Sequence, residues 1–245
     1  MAKHHESAQV VLITGGTSGI GLSLAETYLG QGARVAVCGR SEVALARFRQ
    51  AHPEALAVQA DVTSADARIA MLDAVTDRFG RLDVLINNAG IFVERNFAGD
   101  PDATRGLEQE VAINLTAPIQ LTNDVLNRWP EITSIVFVTS GFALVSPTRA
   151  PTYGALKAGL HGFAEGLRRQ LAPAKVHVLE LLPPTTDTPM NADFTGKKMP
   201  PEEVAAVTLK ALARGRPMAL PGPTKLLPTM LRLAPTTIKR SVAKM

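Results

Sequence analysis

Short runs of β-branched and other apolar residues alternate along the chain with longer segments rich in Ala, Leu and Arg. The longer segments repeat apolar residues about every 3.6 positions, as in Leu22, Ala25 and Leu29, which is typical of helices that lie on a core. Near-continuous apolar strands separated by helices favour a parallel sheet covered on both faces. The sequence therefore predicts an α/β, Rossmann-type doubly wound parallel sheet of about seven strands, in a single domain over residues 1–245. The predicted strands are residues 10–14, 34–38, 55–60, 82–87, 135–139, 176–182 and 217–221.

The regular alternation stops after the sixth predicted strand, at Pro183-Pro184. Residues 184–200 contain turn-forming residues without an apolar period, and we interpret them as a substrate loop. Together with Phe142 and Val145, this loop suggests an apolar substrate pocket. Residues 225–245 form a basic tail that mixes cations with leucines.

The net charge of +4 on its own resembles that of a protein that binds nucleic acid. However, ten basic residues against only Glu202 and Glu203 lie from Lys197 onward, so the preceding residues carry a charge of −4. This distribution removes the electrostatic support for nucleic-acid binding by the main body of the chain.

The basic tail is amphipathic, a composition found in segments that lie on anionic lipid. It could equally cover a neighbouring subunit or the mouth of the substrate pocket. Pro228 and Pro235 break any long helix in this region, so contact with a membrane surface is not favoured.

One cysteine, Cys38, excludes an internal disulfide and a multi-cysteine zinc site, and it fits a reducing, cytoplasmic environment. Residues 1–9 are polar, and no run approaches the roughly 20 apolar residues of a membrane-spanning helix. No spacing of His, Asp and Cys indicates a metal site, and we expect none. We interpret His161 and His177 as structural and Cys38 as a small buried residue.

A glycine-rich turn, Thr14-Gly15-Gly16-Thr17-Ser18-Gly19-Ile20-Gly21, joins the first predicted strand to an amphipathic helix. Glycines at positions 15, 19 and 21 allow a tight turn and a close approach of the backbone to a pyrophosphate. The N-terminus of the following helix offers free N–H groups and the positive end of the helix dipole. A glycine cluster alone is a weak signal, but its position between strand and helix at the start of a βαβ unit predicts a dinucleotide site.

The second predicted strand ends at Cys38-Gly39-Arg40-Ser41, where a doubly wound dinucleotide site holds the adenosine ribose. An acid there would accept both ribose hydroxyls and repel a 2′-phosphate. Arg40 can instead place a permanently charged guanidinium on that phosphate, so NADP(H) is favoured over NAD(H). The alternative is that Arg40 lies on the solvated start of a helix. Loops after the third and fourth strands lie at the same edge and contain Asp61, Val62, Asn88, Ala89 and Gly90.

Tyr153 and Lys157 are four residues apart, so on a helix their side chains share a face. For alcohol oxidation near pH 7, a phenol must lose about three pKa units, or roughly 4 kcal/mol. An ammonium about 4 Å away supplies roughly that much at an effective dielectric constant of about 20. We therefore expect Lys157 and an oxidised nicotinamide to lower the pKa of Tyr153. Ser140 would hold the substrate oxygen, and Asn114 would position a water that joins Lys157 to solvent.

In their order and spacing, these motifs resemble those of the short-chain dehydrogenase/reductase family, and the resemblance covers essentially the whole chain. The resemblance implies a Rossmann domain with a seven-stranded sheet, an NAD(P) cofactor, and Asn114, Ser140, Tyr153 and Lys157 as a catalytic tetrad. It also implies a small-molecule carbonyl or alcohol substrate and a homodimer or homotetramer packed through the helices that carry Asn114 and Tyr153. The expected cofactor-binding residues are Gly15, Thr17, Ser18, Gly19, Ile20, Gly21, Arg40, Asp61, Val62, Asn88, Ala89, Gly90, Tyr153, Lys157, Pro183, Thr186 and Thr188.

The chain departs from the family pattern after the sixth strand, where Pro183-Pro184 stands in place of the usual Pro-Gly. The second proline removes an N–H group and restricts Pro183 to extended geometry, which predicts a stiffer loop beside the nicotinamide. The residues around this loop, with Ser140-Gly141-Phe142 and Cys38-Gly39-Arg40, are similar to the subgroup named after D-alanine esterification of teichoic acid.

The predicted function is an NAD(P)(H)-dependent oxidoreductase that transfers hydride between the nicotinamide and a carbonyl or secondary alcohol, with Tyr153 as general acid or base. One alternative is a catalytically silent NAD(P)-binding scaffold or sensor of the same fold, against which the intact tetrad argues. Another is a nucleotide-sugar epimerase or dehydratase, which ordinarily needs a larger C-terminal domain than the 61 residues after Pro184.

Overall fold

Seven strands form one sheet in the order β3-β2-β1-β4-β5-β6-β7, and all neighbouring strands are parallel. This computed structural model describes residues 8–243, so the predictions for residues 1–7 and 244–245 lie outside the described residues. The predicted α/β fold with a seven-stranded parallel sheet is confirmed. The strands are β1 (Val10–Thr14), β2 (Arg34–Gly39), β3 (Leu56–Gln59), β4 (Val84–Asn87), β5 (Ser134–Val138), β6 (His177–Leu181) and β7 (Met218–Ala219).

Helices cover both faces of this sheet, because successive side chains of each strand point to opposite sides. Leu12 belongs to a core cluster with the main helices that follow β3, β4 and β5, whereas the next residue, Ile13, belongs to a cluster with the helices that follow β1, β2 and β6. The sheet is therefore buried from both directions. The helices are α1 (Gly19–Gly30), α2 (Glu42–Ala51), α3 (Ala65–Phe79), α4 (Leu107–Val111), α5 (Ala117–Arg128), α6 (Pro151–Leu171), α7 (Pro201–Ala213), α8 (Leu227–Leu233) and α9 (Pro235–Val242).

The strand ends differ from the predicted ends by one or two residues, for reasons that lie in hydrogen bonding. The fourth strand was predicted to begin at Leu82, but β4 begins at Val84, because Asp83 accepts the Val10 amide with its side-chain Oδ2 at 2.8 Å. The last strand was predicted over residues 217–221, but β7 has only two residues. Prolines at both ends of that segment have no N–H group to extend the ladder.

The helix between β4 and β5 is interrupted by a π-helical turn, Ala112–Thr116, which joins α4 to α5 without a break. Asn114 lies in this turn. A π turn widens the helix by one residue and is frequent at functional sites.

The prolines of the basic tail start two short helices. Pro228 is in the first turn of α8 and Pro235 is the first residue of α9, where a missing N–H group costs nothing. The predicted absence of a long helix is confirmed for the described tail. Leu227 and Ile238 of the tail line the large cleft beside the sheet, as expected for a segment that covers the mouth of the pocket, and contact of the tail with lipid or a neighbouring subunit stays a prediction. Within residues 8–243, no helix has the length and apolar character needed to cross a membrane.

Two phenylalanines with different burial test the assignment of the core. Phe137 is fully buried in β5 and contacts Phe163 edge to face, whereas Phe97 is 55% exposed. We expect Phe137→Ala to lower the free energy of unfolding by about 3–5 kcal/mol, because it removes buried contacts and leaves a cavity. As a matched control, Phe97→Ala should change it by less than about 0.5 kcal/mol. Urea unfolding measures both, and equal losses would contradict this assignment of the core.

Candidate active site

The glycine-rich turn from Thr14 to Gly21, which we call the phosphate turn, connects β1 to α1 and requires glycine at two positions. Gly15 has φ +64° and Gly19 has φ +52°, a left-handed region that other residues rarely adopt. Ser18 caps α1 without any hydrogen bond from its side chain to the helix. The first-turn N–H groups of α1 have no partner within the helix and lie beside the cleft, which Ser18, Gly19 and Ile20 line. This is the geometry of an anion-binding helix N-terminus.

Asn88, predicted as a cofactor residue, holds the phosphate turn in place. Its Nδ2 donates hydrogen bonds to the carbonyl oxygens of Thr14 at 2.9 Å and of Gly15 at 3.1 Å. The Thr14 hydroxyl in turn accepts hydrogen bonds from the backbone N–H groups of Asn88 and Ala89. The loops after β1 and β4 are therefore fixed to each other by four hydrogen bonds.

The predicted adenosine end lies at the carboxyl ends of β2 and β3. The Asp61 carboxylate accepts hydrogen bonds from the backbone N–H and the hydroxyl of Thr63, and these are the main cause that lowers the pKa of Asp61. The charge of the exposed Arg40 makes a smaller contribution in the same direction. A Cβ on Gly39 would lie 3.3 Å from Thr17 Oγ1, so the phosphate turn meets the end of β2. Of the two predicted residues after β3, Val62 is buried in the core and Asp61 is the polar one.

Tyr153 and Lys157 lie on α6 with their side chains almost fully buried beside the cleft. The Lys157 ammonium is 5.6 Å from the centroid of the Tyr153 ring and donates a hydrogen bond to the Val138 carbonyl oxygen at 2.9 Å. Ser140 hydrogen-bonds to Tyr153, and its Oγ also accepts the Phe142 N–H at 3.1 Å. The sheet edge thus brings together three of the four predicted catalytic residues.

Asn114, the fourth predicted catalytic residue, lies behind this group. Its Oδ1 accepts the Ile91 N–H at 3.1 Å, and its Nδ2 donates to the Ile91 carbonyl oxygen at 2.8 Å. A Cβ on Gly90 would lie 2.9 Å from Asn114 Oδ1 and 3.5 Å from Lys157 Nζ. Asn114 and Lys157 therefore face each other across a glycine that leaves no room for a side chain, and the water position predicted for Asn114 stays a prediction.

Burial shifts the pKa values of Tyr153 and Lys157 in opposite directions. It raises the pKa of Tyr153 to about 12, which the Ser140 hydrogen bond partly opposes and the Glu110 charge reinforces. Burial also lowers the pKa of Lys157 to about 8. In both residues desolvation disfavours the charged form. The lowering of the Tyr153 pKa by Lys157 together with an oxidised nicotinamide stays a prediction.

A buried ion pair that sequence reasoning missed lies beside Tyr153. Glu110 Oε2 accepts hydrogen bonds from Arg95 Nη2 at 3.0 Å and from Thr152 Oγ1 at 2.9 Å, while Arg95 Nη1 donates to the Ala103 carbonyl oxygen. These bonds fix the segment after β4 onto the start of α6. Glu110 lies one helical turn before Asn114, but no local signal links it to Arg95, 15 residues earlier.

The predicted substrate loop, residues 184–200, crosses the mouth of the cleft. Thr186 pairs with Met199 in an isolated parallel bridge, and the Thr186 hydroxyl donates to the Pro184 carbonyl oxygen at 2.9 Å. A Cβ on Gly19 would lie 2.8 Å from Thr188 Cγ2, so the loop touches the phosphate turn. The Pro183 carbonyl oxygen accepts the Gly141 N–H at 3.0 Å, which ties the loop to the residue after Ser140.

The cleft has a volume of about 740 Å³ and contains most of the predicted site. Asn114 lies behind its wall, and Thr17, Gly21, Arg40, Asp61 and Val62 are outside its lining. His161, His177 and Cys38 are also outside it; Cys38 is fully buried, and no group of residues within 8–243 is arranged to hold a metal ion. The predicted residues that line the cleft are Gly15, Ser18, Gly19, Ile20, Asn88, Ala89, Gly90, Ser140, Tyr153, Lys157, Pro183, Thr186 and Thr188.

Comparison with known proteins gives consistent matches. The chain matches the sequence profile described as short chain dehydrogenase over residues 9–198. The uncharacterized oxidoreductase DltE of Bacillus subtilis (strain 168) is 39% identical over 191 residues, 77% of this chain and 75% of that protein. A short chain dehydrogenase from Burkholderia cenocepacia J2315 in complex with NADP has a TM-score of 0.82 at 25% identity, over 96% of this chain and 97% of that one. A 3-ketoacyl-(acyl-carrier-protein) reductase from Brucella melitensis complexed with NADH has a TM-score of 0.76 at 27% identity, over 83% and 90%.

The buried Lys157 predicts a pH-dependent stability. Its pKa falls from 10.5 to about 8 on folding, so between these values the unfolded chain binds more protons at this residue than the folded one. Burial of the Lys157 ammonium therefore lowers the free energy of unfolding, and this loss is fully present below about pH 8. The loss becomes smaller as the pH rises through this window. Relative to Lys157→Met, we expect the natural protein to gain about 3 kcal/mol of unfolding free energy between about pH 7.5 and 10.5.

Urea unfolding at several pH values measures this gain. Lys210→Met is the matched control, because Lys210 is an exposed lysine on α7, and it should follow the natural protein at every pH. Parallel pH profiles for the natural protein and Lys157→Met would contradict the burial of a charged ammonium at this position.

Proposed function

The chain belongs to the short-chain dehydrogenase/reductase family of NAD(P)-dependent oxidoreductases, and from this premise we propose that it reduces a ketone or aldehyde to an alcohol with NADPH. Tyr153 is the general acid, and the same residue is the base in the reverse direction. The observation that carries the proposal is the contact of the Tyr153 phenol with Ser140, beside Lys157 and at the sheet edge that also holds the phosphate turn. No other group of buried titratable residues in the described chain lines the cleft together with the phosphate turn.

The residues present fit a dinucleotide. The first-turn N–H groups of α1 and the left-handed glycines of the phosphate turn leave a cradle that a Cβ would fill, since one on Gly19 would meet Thr188. We propose that this cradle holds the diphosphate, with Ser18 and Ile20 at its edge. The cleft continues from there to Tyr153 and Lys157, where the nicotinamide would lie.

Bound NADPH would supply the hydride that reduces the carbonyl carbon. A phenol whose pKa lies near 12 stays protonated at neutral pH, so Tyr153 has a proton available for the carbonyl oxygen. The Ser140 hydroxyl is close enough to this phenol to hold the same oxygen. Lys157, whose pKa of about 8 lies near neutral pH, can return a proton to Tyr153 through its own exchange with solvent, with Asn114 positioning a water on that path. At neutral pH the protonated phenol is therefore ready to act as the acid of the reductive direction.

We propose that the cofactor is NADP(H) and not NAD(H), for two reasons at the end of β2. Gly39 occupies the position where an acidic residue would bind the ribose hydroxyl groups, and the exposed guanidinium of Arg40 follows it. The solved relatives do not decide this choice, since one was crystallised with NADP and another with NADH. We also expect self-association into a dimer or tetramer through α5 and α6, as the family resemblance implies.

Tyr153→Phe removes the proton donor and tests the proposed chemistry. We expect kcat for NADPH-dependent reduction of a ketone to fall about 10²- to 10⁴-fold, because general acid catalysis contributes that much. The Kd of NADPH, measured by its fluorescence, should change far less than kcat, since the proposed diphosphate cradle at the phosphate turn is untouched by the substitution. Absorbance of NADPH follows the turnover.

The control is Tyr28→Phe, which alters the other tyrosine of the chain, buried in α1 and away from the cleft. It should leave kcat unchanged. A protein that binds NADPH but shows no turnover dependent on Tyr153 would instead be the catalytically silent scaffold.

Arg40→Ala tests the cofactor preference. We expect the Kd of NADPH to rise at least about tenfold, because a charge-assisted hydrogen bond to the 2′-phosphate contributes roughly 1.5–3 kcal/mol. The Kd of NADH should rise less than about twofold. Arg47→Ala, an exposed arginine on α2, should affect neither cofactor. Equal losses for NADPH and NADH would mean that Arg40 does not bind the phosphate.

A further inference from the structure

The tail contributes a wall of the cleft close to the catalytic residues. A Cβ on Gly141, the residue after Ser140, would lie 3.1 Å from Thr224 Cγ2 and 3.6 Å from Leu227 Cδ2. Val145, four residues further along, packs with Ile238 and Val242 of α9 in a separate apolar cluster. The tail is thus bound to the segment that directly follows Ser140, on the substrate side of the site.

We define the apolar chamber as the part of the cleft lined by this segment and the tail, namely by Phe142, Val145, Leu227, Met230, Ile238 and Val242. No residue of α8 is fully buried, and Met230 is 42% exposed although it lines the cleft. Val145, Ile238 and Val242 are buried in their own apolar cluster, whereas Met230 leaves much of its apolar surface uncovered in the cleft. Each methylene that covers such surface contributes about 0.8 kcal/mol.

The chamber offers few hydrogen-bonding groups. Within the described part of the tail, Ser241 is the one polar side chain that lines the cleft, and Thr224 lines it directly before the tail begins. The Thr224 hydroxyl already donates to the Pro221 carbonyl oxygen at 2.7 Å. A polyhydroxylated substrate would leave most of its hydroxyl groups without partners there, at a cost for each one.

We propose that the substrate is a carbonyl compound with an apolar chain, and that Leu227, Met230, Ile238 and Val242 bind this chain while the carbonyl group meets Ser140 and Tyr153. The proposal rests on the proposed function, which it extends from a reaction to a substrate class. The basic tail is then a specificity element of the active site.

A series of methyl ketones from 2-butanone to 2-decanone, followed by NADPH absorbance, tests the proposal. We expect kcat/KM to rise about three- to fourfold for each added methylene until the chamber is full, as burial of a methylene implies. A ketose sugar of similar size should react more slowly than 2-hexanone.

A matched pair of variants on α8 assigns the effect to the chamber. Met230→Ser should lower the ratio of kcat/KM for 2-decanone to that for 2-butanone at least fivefold. Leu233→Ser removes an equally apolar side chain that is 78% exposed and outside the lining, and should leave the ratio unchanged. Because both side chains are substantially exposed, neither substitution threatens folding.

Binding without turnover separates this proposal from the proposed function. The alcohol 2-decanol should raise the melting temperature of the natural protein with bound NADP more than 2-butanol does, and Met230→Ser should abolish the difference. A flat ketone series with normal Tyr153-dependent turnover would overturn the chamber and leave the reductase intact. Stabilisation by 2-decanol that depends on Met230, with no turnover of any ketone, would uphold the chamber and overturn the reductase.

Discussion

The candidate site depends on the parallel direction of β1, β4, β5 and β6, which brings the carboxyl ends of all four strands to one edge of the sheet. The loops at this edge pack so closely that a Cβ on Gly21 would lie 2.3 Å from the Gly15 carbonyl oxygen and 2.4 Å from Asn88 Nδ2. Four hydrogen bonds through Asn88 and Thr14 keep them in contact. The phosphate turn and the reactive residues therefore share one rigid support, although they lie far apart in the sequence.

Burial at this edge has opposite effects on the two central groups. It favours the neutral form of each, and so it raises the pKa of Tyr153 and lowers that of Lys157. The ion pair of Arg95 and Glu110 adds to this field, because the Glu110 charge also raises the pKa of Tyr153. The protein groups thus hold a protonated phenol beside an ammonium that titrates near neutral pH, a combination suited to giving a proton to a carbonyl oxygen.

The tail illustrates how the same residues can support two interpretations. Pro228 and Pro235 end any long helix, but in the first turns of α8 and α9 they are compatible with short helices. The bend between these helices brings Leu227 and Val242, 15 residues apart, to the same cleft. The excess of cations in the tail then lies beside an apolar cavity, and neither its charge nor its composition alone indicates that position.

The sheet, the glycine turn and the shared helix face of Tyr153 and Lys157 could be predicted from the sequence, because each follows from a period or a local backbone requirement within a few residues. The packing of the whole chain establishes that Glu110 pairs with Arg95, that Asn114 binds the Ile91 backbone, that the tail lines the cleft, and that burial raises the pKa of Tyr153. These outcomes depend on which distant segments meet and on how much water they exclude. The contacts between distant segments and the exclusion of water both result from the packing of the whole chain, so neither can be derived from a few neighbouring residues.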